Sequence, residues 1–425
     1  MEFAFIPVGS QMHDRRALAA MLAGHERALG SIGGRRADGA VADSDRIAFV
    51  FVQTGGVENE VLRRWRSREQ QGRTGPLLLI AHPAHNSLPA SLEILAQARQ
   101  EGGRGRIYLL RGPDDAETLA EIERTGLCLE ANRKLSEDRL GLLGASSEWL
   151  VASSHRPETV HARFGMRVVP LEIDELRAHM ARGAGTAEEE GAEAWERAAG
   201  VDGPTRGDYE RAADVDRALA ELVKIHRLGA VTVRCFDLVE QDGTTGCLAL
   251  ARLADRGVAA GCEGDVPSAV LLRWLWHLTG RTGWMANPSD VDLRRGELLL
   301  AHCTVPLGMV EEYRLSTHFE SGKGVGIDGT FRVGPVTVLR IGGANFERWW
   351  GAEGTLFESL HGGDLCRTQV RIKIPAAAAA ELLESPLGNH LVLARGHVKG
   401  LFREAFELLG DRGLQKDVAA ARGNG

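Results

Sequence analysis

Residues 76–89 read PLLLIAHPAHNSLP, and this stretch predicts both the kind of sheet and the edge at which a ligand would bind. A short, wholly apolar run is typical of a strand that is buried on both faces. The run passes through a turn rich in proline and histidine into a helical pattern over 90–100. Strand-like runs recur in the same way at 3–9, 46–52, 76–81 and 106–110. This alternation predicts a parallel sheet covered by helices.

A second unit of the same kind is predicted after residue 140. Its strand-like runs lie at 149–152, 166–171 and 231–236, and its helical patterns at 209–227 and 248–256. After about residue 293 the pattern changes to short β-rich runs separated by glycine-rich turns, at 297–302, 336–341, 369–374 and 390–394. We therefore predict two Rossmann-like α/β/α domains with parallel sheets, followed by a C-terminal mostly antiparallel β-barrel-like domain with a terminal helix. The predicted boundaries are 1–142, 143–293 and 294–425.

The composition is typical of an ordinary globular protein. The chain has 425 residues, 44% of them hydrophobic, and a formal net charge of −7. It has no basic run interleaved with aromatic side chains, and no apolar run of the roughly 18–20 residues that cross a bilayer. We therefore expect neither a nucleic-acid nor a membrane partner. The six cysteines form no CxxC pair, which argues against a zinc finger, and we expect a cytoplasmic protein with reduced thiols.

Four side chains in the second half of the chain are candidate ligands for a divalent cation. Glu263 lies in GCEGD just before an apolar helix, where the helix dipole and backbone N–H groups stabilise a carboxylate. Asp290 follows in WMANPSD, His302 ends the run LLLAH, and His390 follows a glycine and an asparagine. Carboxylate oxygens combined with imidazole nitrogens suit an ion such as Mn²⁺. The central domain is therefore predicted to contribute to a metal site.

Each of the four side chains also has a simpler structural interpretation. The two acids could be a helix cap and part of a polar turn, and the two histidines could be hydrogen-bonded core residues. Asn287 and Asp292 are rival ligands in the turn that contains Asp290, and His397 is a rival of His390. The order and spacing of the four residues, rather than any one of them, favour the metal site.

The same residues resemble motifs of the L-fucose isomerase and L-arabinose isomerase superfamily. Members of that superfamily carry a Gly-x-Glu-Gly-Asp type turn before a helix, then a Phe-Met turn with an acidic residue, a strand ending in Ala-His, and a C-terminal histidine. The matching features are residues 261–265, Trp284-Met285 with Asp290, Ala301-His302 and His390. The resemblance spans most of residues 230–400. The chain departs from it at Ala286, where the arabinose isomerases have the second acid.

The resemblance implies a compact, divergent, metal-dependent aldose–ketose isomerase that acts on an open-chain sugar through an ene-diol(ate). It implies Mn²⁺, or another divalent cation such as Mg²⁺, Co²⁺ or Zn²⁺, held by Glu263, Asp290, His302 and His390. The two carboxylates would share the proton transfers. Because of Ala286, two alternatives stay open. One is a related metal-dependent ketose lyase or transferase of the transaldolase type, and the other is a non-catalytic sugar-binding relative.

Other polar side chains are candidate contacts for the sugar: His82, Asn86, His318, Lys323, Arg367 and Asn389. Lys323 and Arg367 could meet an anionic substituent, although a structural ion pair is an alternative for Arg367. Residues 82–87 follow a predicted parallel strand and so lie in a candidate binding cleft. In the superfamily such a segment closes over the site of a neighbouring subunit. A homo-oligomer, either a trimer or a hexamer, is therefore implied, and its contacts would cover Trp274, Trp276 and Trp349.

Overall fold

The computed structural model describes residues 2–37, 48–70, 75–182 and 193–410, and the chain divides into two compact units. The first unit holds Met1–Ala131 and Glu404–Leu408, and the second holds Asn132–Arg403 and Leu409–Gly425. Residues 411–425 of the predicted C-terminal domain lie outside the described residues. The division into three domains at 142 and 293 stays a prediction.

The described helices and strands follow the chain in this order. The strands are β1 (Phe3–Val8), β2 (Gly34–Arg36), β3 (Ala48–Val52), β4 (Leu77–Ala81), β5 (Gly105–Leu109), β6 (Arg139–Leu143), β7 (Arg167–Leu171), β8 (Gly200–Asp202), β9 (Ala230–Val233), β10 (Ala259–Cys262), β11 (Trp284–Asp292), β12 (Glu297–His302), β13 (Glu312–Ser316), β14 (Gly326–Thr330), β15 (Gly334–Gly342), β16 (Arg348–Leu360), β17 (Thr368–Lys373) and β18 (Leu391–Arg395). The helices are α1 (Arg15–Ser31), α2 (Glu58–Gln70), α3 (Ser87–Gln100), α4 (Ala116–Glu137), α5 (Pro157–Phe164), α6 (Ile173–Met180), α7 (Arg206–His226), α8 (Cys235–Gln241), α9 (Cys247–Asp255), α10 (Val266–Thr279), α11 (Ala376–Glu384) and α12 (Lys399–Leu409).

The first unit is a three-layer α/β/α structure. Its sheet has the strand order β2-β1-β3-β4-β5, and all of its pairings are parallel. Alternate residues of a strand point to opposite faces. In β4, for example, Leu79 packs with residues of α2 and α3, whereas Leu78 packs on the other face with residues of α1 and α4. The helices therefore cover both faces of the sheet, as predicted for the first α/β domain.

The second unit contains another parallel sheet and a closed antiparallel barrel. The sheet has the order β10-β9-β6-β7. The barrel has the order β11-β12-β17-β16-β15-β18, and its interior is filled by large apolar side chains such as Trp284, Leu300, Val338 and Leu391. β8, β13 and β14 form a separate three-stranded sheet. The predicted fold class, with parallel sheets followed by a barrel-like antiparallel domain, is confirmed.

One local prediction in the second unit is wrong. Residues 149–152, predicted as a strand, form turns after β6, and the preceding loop bonds to another segment: the N–H of Ser147 donates to the carbonyl of Glu263. Residues 287–290, for which a polar turn was the simpler structural interpretation, lie within the nine-residue strand β11. This strand pairs with both β12 and β18, and a bulge between Pro288 and Asp290 accommodates the turn-like residues.

Helix α10 connects the parallel sheet to the barrel and is buried along most of its length. Asp265 caps its first turn by accepting from the N–H of Ser268, and Gly280 ends it in the left-handed region at φ 66°. Trp274 is fully buried within the protomer, where its Nε1 donates to Asn132 Oδ1 at 2.8 Å. The expectation that a subunit contact covers Trp274 is therefore wrong, and the trimer or hexamer stays a prediction.

In the part of the chain that the structure describes, no helix combines the length and the apolar character needed to cross a membrane.

Asp138, the residue before β6, bonds to two side chains in the last two turns of α10. These bonds provide a test of the fold. The Asp138 carboxylate accepts from Arg273 Nε at 2.7 Å and from His277 Nε2 at 2.5 Å. Burial alone would raise the pKa of Asp138, but the hydrogen bonds from His277 and Arg273 outweigh it, so the pKa lies below its ordinary value of 3.8. The carboxylate therefore stabilises the folded state above that pH and less so as the pH falls below it.

We expect Asp138→Asn to lower the free energy of unfolding by about 2 kcal/mol at pH 7, since a mostly buried guanidinium loses its counter-ion. The difference from wild type should shrink as the pH falls below about 4. Urea denaturation across this pH range measures both effects. The exposed Asp174, which pairs with Arg177, provides a matched control because Asp174→Asn should change stability little. An equal effect of the two substitutions would contradict this account of α10.

Candidate metal centre

The turn after β10 presents the carboxylate of Glu263 at the carboxyl edge of the parallel sheet. Glu263 and Gly264 both have left-handed backbones, at φ 62° and 72°. A Cβ on residue 264 would lie 2.3 Å from the carbonyl oxygen of Ala145, so the position requires glycine. The Ser147 N–H and the Ser146 hydroxyl donate to the carbonyls of residues 263 and 264. A strained, well-bonded turn of this kind is typical of a functional site.

Two histidines from the barrel lie against this carboxylate. His302 is the last residue of β12, and His390 directly precedes β18. Their ring centroids are 5.8 Å apart, and the Nε2 of His390 lies 3.5 Å from Glu263 Oε1. One donor atom from each of the three residues lies within 4.8 Å of the other two. These three side chains, hereafter the Glu-His-His cluster, could hold a metal ion.

A fully buried set of charged groups orients His390. Its Nδ1 lies 2.8 Å from Asp265 Oδ2, and the other oxygen of Asp265 caps α10. Arg340 lies 3.1 Å from the same carboxylate, and the Ser153 hydroxyl accepts from its Nη2 at 2.6 Å. The side chains of Asp265, Arg340 and His390 are at most 1% exposed. Because Asp265 can only accept, Nδ1 carries a hydrogen and the lone pair of neutral His390 is on Nε2.

The lone pair on Nε2 of His390 is suited to bind a metal ion. Among the residues that the structure describes, this buried Nε2 has no hydrogen-bond partner, and a buried polar atom without a partner is costly. That atom faces Glu263 and lies in the same cluster as His302. Two imidazoles and one carboxylate are a common protein donor set for zinc, and for iron with open positions. The donor set and the orphaned nitrogen therefore both suit a divalent transition metal.

The electrostatics of the cluster keep its donor atoms available. Burial lowers the pKa of His302 to about 3, with a further contribution from His390, so His302 is neutral at physiological pH. Burial would raise the pKa of Glu263, but the adjacent imidazole of His390 and the hydrogen bond from Trp149 outweigh it, so the pKa falls. Burial would lower the pKa of His390, yet its hydrogen bond to Asp265 and the negative charges of Asp265 and Glu263 raise it. A metal would therefore compete with a proton at His390.

The second oxygen of Glu263 accepts a hydrogen bond from Trp149, a residue that was not predicted to belong to the site. The indole Nε1 of Trp149 donates to Glu263 Oε2 at 2.6 Å, and the side chain is 53% exposed. Trp149 also packs edge-on against Phe236, which in turn packs against His318. These three rings form an aromatic wall beside the cluster. Because residues 149–152 were predicted as a strand, Trp149 was not recognised as an aromatic residue in the loop after a parallel strand, where ligands usually bind.

The structure does not bring Asp290 to the Glu-His-His cluster. Asp290 is exposed on β11 after the bulge, and its carboxylate accepts from the N–H of Val291. The rival Asp292 accepts from the N–H groups of Arg294 and Arg295. Ala286, by contrast, is fully buried and faces the barrel interior. Only the three other predicted ligands converge, since the strand pairing of β11 keeps the two acids outside.

The predicted sugar contacts are dispersed, and His318 is one that interacts electrostatically with the cluster. The charge of Glu263 affects its pKa, although burial and Arg367 keep that pKa low. Arg367 donates to the carbonyl and hydroxyl of Thr317, and Lys323 Nζ lies 3.4 Å from the carbonyl of Val239. These two cations therefore have structural partners. Asn389 is exposed beside His390.

His82 and Asn86 belong to the first unit. The His82 ring is buried and bonds to the carbonyl of Gln53 through Nε2, while Asn86 precedes α3 in a left-handed conformation without a side-chain cap. Their predicted role at the site of a neighbouring subunit stays a prediction.

Comparison with known proteins gives one informative similarity. No protein-family model matches the chain. The chain is 23% identical over 274 residues to the sulfoquinovose isomerase of Clostridium sp. (strain MSTE9), and the aligned region covers 60% of this chain and 59% of that relative. The chain is thus similar, over about three fifths of either length, to a sugar isomerase. This agrees with the prediction of an isomerase relationship at that level.

The role of Asp265 can be tested without knowing the substrate. Asp265→Asn leaves Arg340 buried without its counter-ion, so we expect the free energy of unfolding to fall by about 3 to 5 kcal/mol. Affinity for Mn²⁺ or Zn²⁺ should fall by about tenfold or more, because His390 loses the acceptor that orients its ring. Urea denaturation and metal titration measure the two effects. The exposed Asp174→Asn should leave both unchanged, and wild-type metal affinity in a folded Asp265→Asn protein would contradict the proposed orientation.

Proposed function

We propose that this protein is a metal-dependent aldose–ketose isomerase acting on an open-chain sugar or sugar derivative, with Mn²⁺ as the preferred ion. The observation that carries the proposal is the convergence of donor atoms from Glu263, His302 and His390 within 4.8 Å. Similarity to a sugar isomerase supports the reaction class. Sulfoquinovose, named in that relative, is the first substrate to assay.

The reaction requires a base for a weakly acidic proton next to a carbonyl and a positive charge near the oxygens of the sugar. A bound divalent cation would supply that charge by polarising the carbonyl and stabilising the ene-diolate. Glu263 is present as a carboxylate because its pKa is lowered. In the proposal it removes the proton from the carbon next to the carbonyl, while Trp149 holds its second oxygen. The exposed ring of Trp149 offers an apolar face to the sugar.

A second carboxyl group with the opposite pKa shift lies near Glu263. Burial and the charge of Glu263 raise the pKa of Glu320, which follows His318 in the turn after β13. Two carboxyls whose pKa values are shifted in opposite directions can divide acid and base work. In the proposal, Glu320 therefore replaces Asp290 as the second carboxyl group that shares the proton transfers.

The proposed reaction is tested by incubating the Mn²⁺-loaded protein in D₂O with sulfoquinovose and with neutral pentoses and hexoses. We expect interconversion of aldose and ketose with deuterium entering at C1 or C2, followed by NMR and mass spectrometry. Products of a new carbon-chain length would instead indicate a ketose lyase or transferase. Saturable binding of a sugar without turnover would indicate a non-catalytic binding protein.

We expect Glu263→Gln to abolish turnover while leaving the unfolding transition close to that of wild type, since glutamine can still accept from Trp149 but cannot take a proton. Glu320→Gln should lower kcat by about 100-fold or more, as expected for loss of general acid catalysis. The surface substitution Glu297→Gln serves as a control, because Glu297 lies 3.6 Å from Lys373 on the barrel. Normal turnover in Glu263→Gln would remove this carboxylate from the mechanism.

We expect His390→Ala to weaken metal retention by about tenfold or more, since even changes outside the ligand set cost this much. The control is His397→Ala, which removes an exposed histidine seven residues later. Metal content after purification and dialysis, measured by mass spectrometry, decides the outcome. If the two variants retain equal amounts of metal, His390 is not a ligand.

A further inference from the structure

A cleft of about 540 Å³ lies in the second unit, away from the Glu-His-His cluster. One wall is formed by the loop after β6 and the start of α5, and another by residues 343–348 between β15 and β16. Pro386 and Leu387 complete it. The volume is within the range of sites that bind small molecules. None of the three predicted metal ligands lines the cleft, so it is a different site.

The cleft is positively charged. Arg156 and Arg348 both line it, and none of its lining residues is an aspartate or glutamate. Neither guanidinium forms an ion pair or a side-chain hydrogen bond with any residue in the described ranges, in contrast to Arg340 or Arg367. Arg156 is also the N-cap of α5, so the positive end of that helix dipole adds to the potential. Unpaired guanidinium groups in a concave site favour an anion that accepts several hydrogen bonds.

Other residues that line the cleft suit a ligand that also carries hydroxyl groups. Ser154 donates its hydroxyl to the carbonyl of Leu150, which leaves its oxygen free to accept. Thr159 presents a second hydroxyl from the first turn of α5. The ring of His155 stacks on Phe346 with centroids 4.0 Å apart, and its Nε2 bonds to the carbonyl of Gly343. These contacts of His155 join the two walls of the cleft, so the site is formed before a ligand binds.

The cleft adjoins the groups that hold Arg340. The carbonyl of Leu387, a lining residue, lies 3.4 Å from Arg340 Nε, and Ser153, which precedes the lining residue Ser154, bonds to Arg340 Nη2. Arg340 in turn bonds to Asp265, the partner of His390. An occupant of the cleft would therefore contact the loop that supports the cluster, without contacting the cluster itself.

We propose that this cleft binds a small phosphate-type anion, with Arg156 and Arg348 as the two groups that clamp its charge and Ser154 and Thr159 as partners for hydroxyl groups. The chemistry is that of a phosphorylated sugar, and free phosphate shares the charged part. This binding is separate from the proposed isomerase reaction, because no residue of the Glu-His-His cluster lines the cleft.

Calorimetric titration of the full chain tests the proposal with three probes: glucose 6-phosphate, inorganic phosphate and glucose, at about 0.15 M salt. We expect saturable binding of glucose 6-phosphate and no binding of glucose. Tighter binding of the ester than of phosphate identifies a sugar phosphate, and equal affinities identify free phosphate. Arg156→Ala and Arg348→Ala should each weaken binding by about tenfold, as expected for a lost charge-assisted contact.

Two controls separate this site from the metal centre and from a general charge effect. Arg281→Ala removes an exposed arginine that does not line the cleft, and it should bind like wild type. His390→Ala should also retain the anion, whether or not the isomerase proposal holds. Absence of saturable binding up to about 10 mM, or unchanged affinity in the Arg156→Ala, Arg348→Ala double variant, would overturn the proposal. So would glucose binding as well as its phosphate, or loss of anion binding in His390→Ala.

Discussion

The candidate site depends on one buried interaction, the contact of Asp265 with both Arg340 and His390. The carboxylate caps a helix of the parallel-sheet layer, while the guanidinium and the imidazole come from barrel strands or their ends. Burial of these groups would be very unfavourable if any were unpaired. Burial alone would raise the pKa of Asp265, but the charge of Arg340 and the bond from His390 hold it well below its usual range. The charged set therefore links the sheet and the barrel in one geometry.

That geometry determines what Glu263 and His390 can do. Asp265 accepts a hydrogen bond from Nδ1 of His390, and this bond directs Nε2 toward Glu263. Glu263 lies two residues before the helix cap in a left-handed turn. His302 remains neutral because burial opposes its protonation. The result is a set of converging lone pairs on Glu263, His302 and His390, and such a set favours occupation by a cation or a proton. The proposed metal binding and the proposed proton transfer would both use this arrangement.

Much of the architecture could be predicted because it depends on local patterns. Apolar runs such as β4 predict strands buried on both faces, and the alternation with helices predicts parallel pairing. Glu263, His302 and His390 were also identifiable, since each lies where a strand ends or begins. Asp290 was assigned by its distance along the chain from the Trp-Met pair, and that distance carries no information about which face of β11 an acid occupies. The bulge in β11, which depends on pairing with β12, decided the outcome.

Local sequence patterns were enough for most of the strands and helices, for the glycine that the turn at 264 requires, and for the two histidines at strand ends. These properties depend on side-chain size, backbone conformation and hydrophobic pattern over a few residues. Only the tertiary structure decided that Trp149, Arg340 and Asp265 belong to the site and that two arginines remain unpaired in a cleft. Those features arise from contacts between segments more than 70 residues apart, such as Arg340 and Asp265, and local patterns do not specify such contacts.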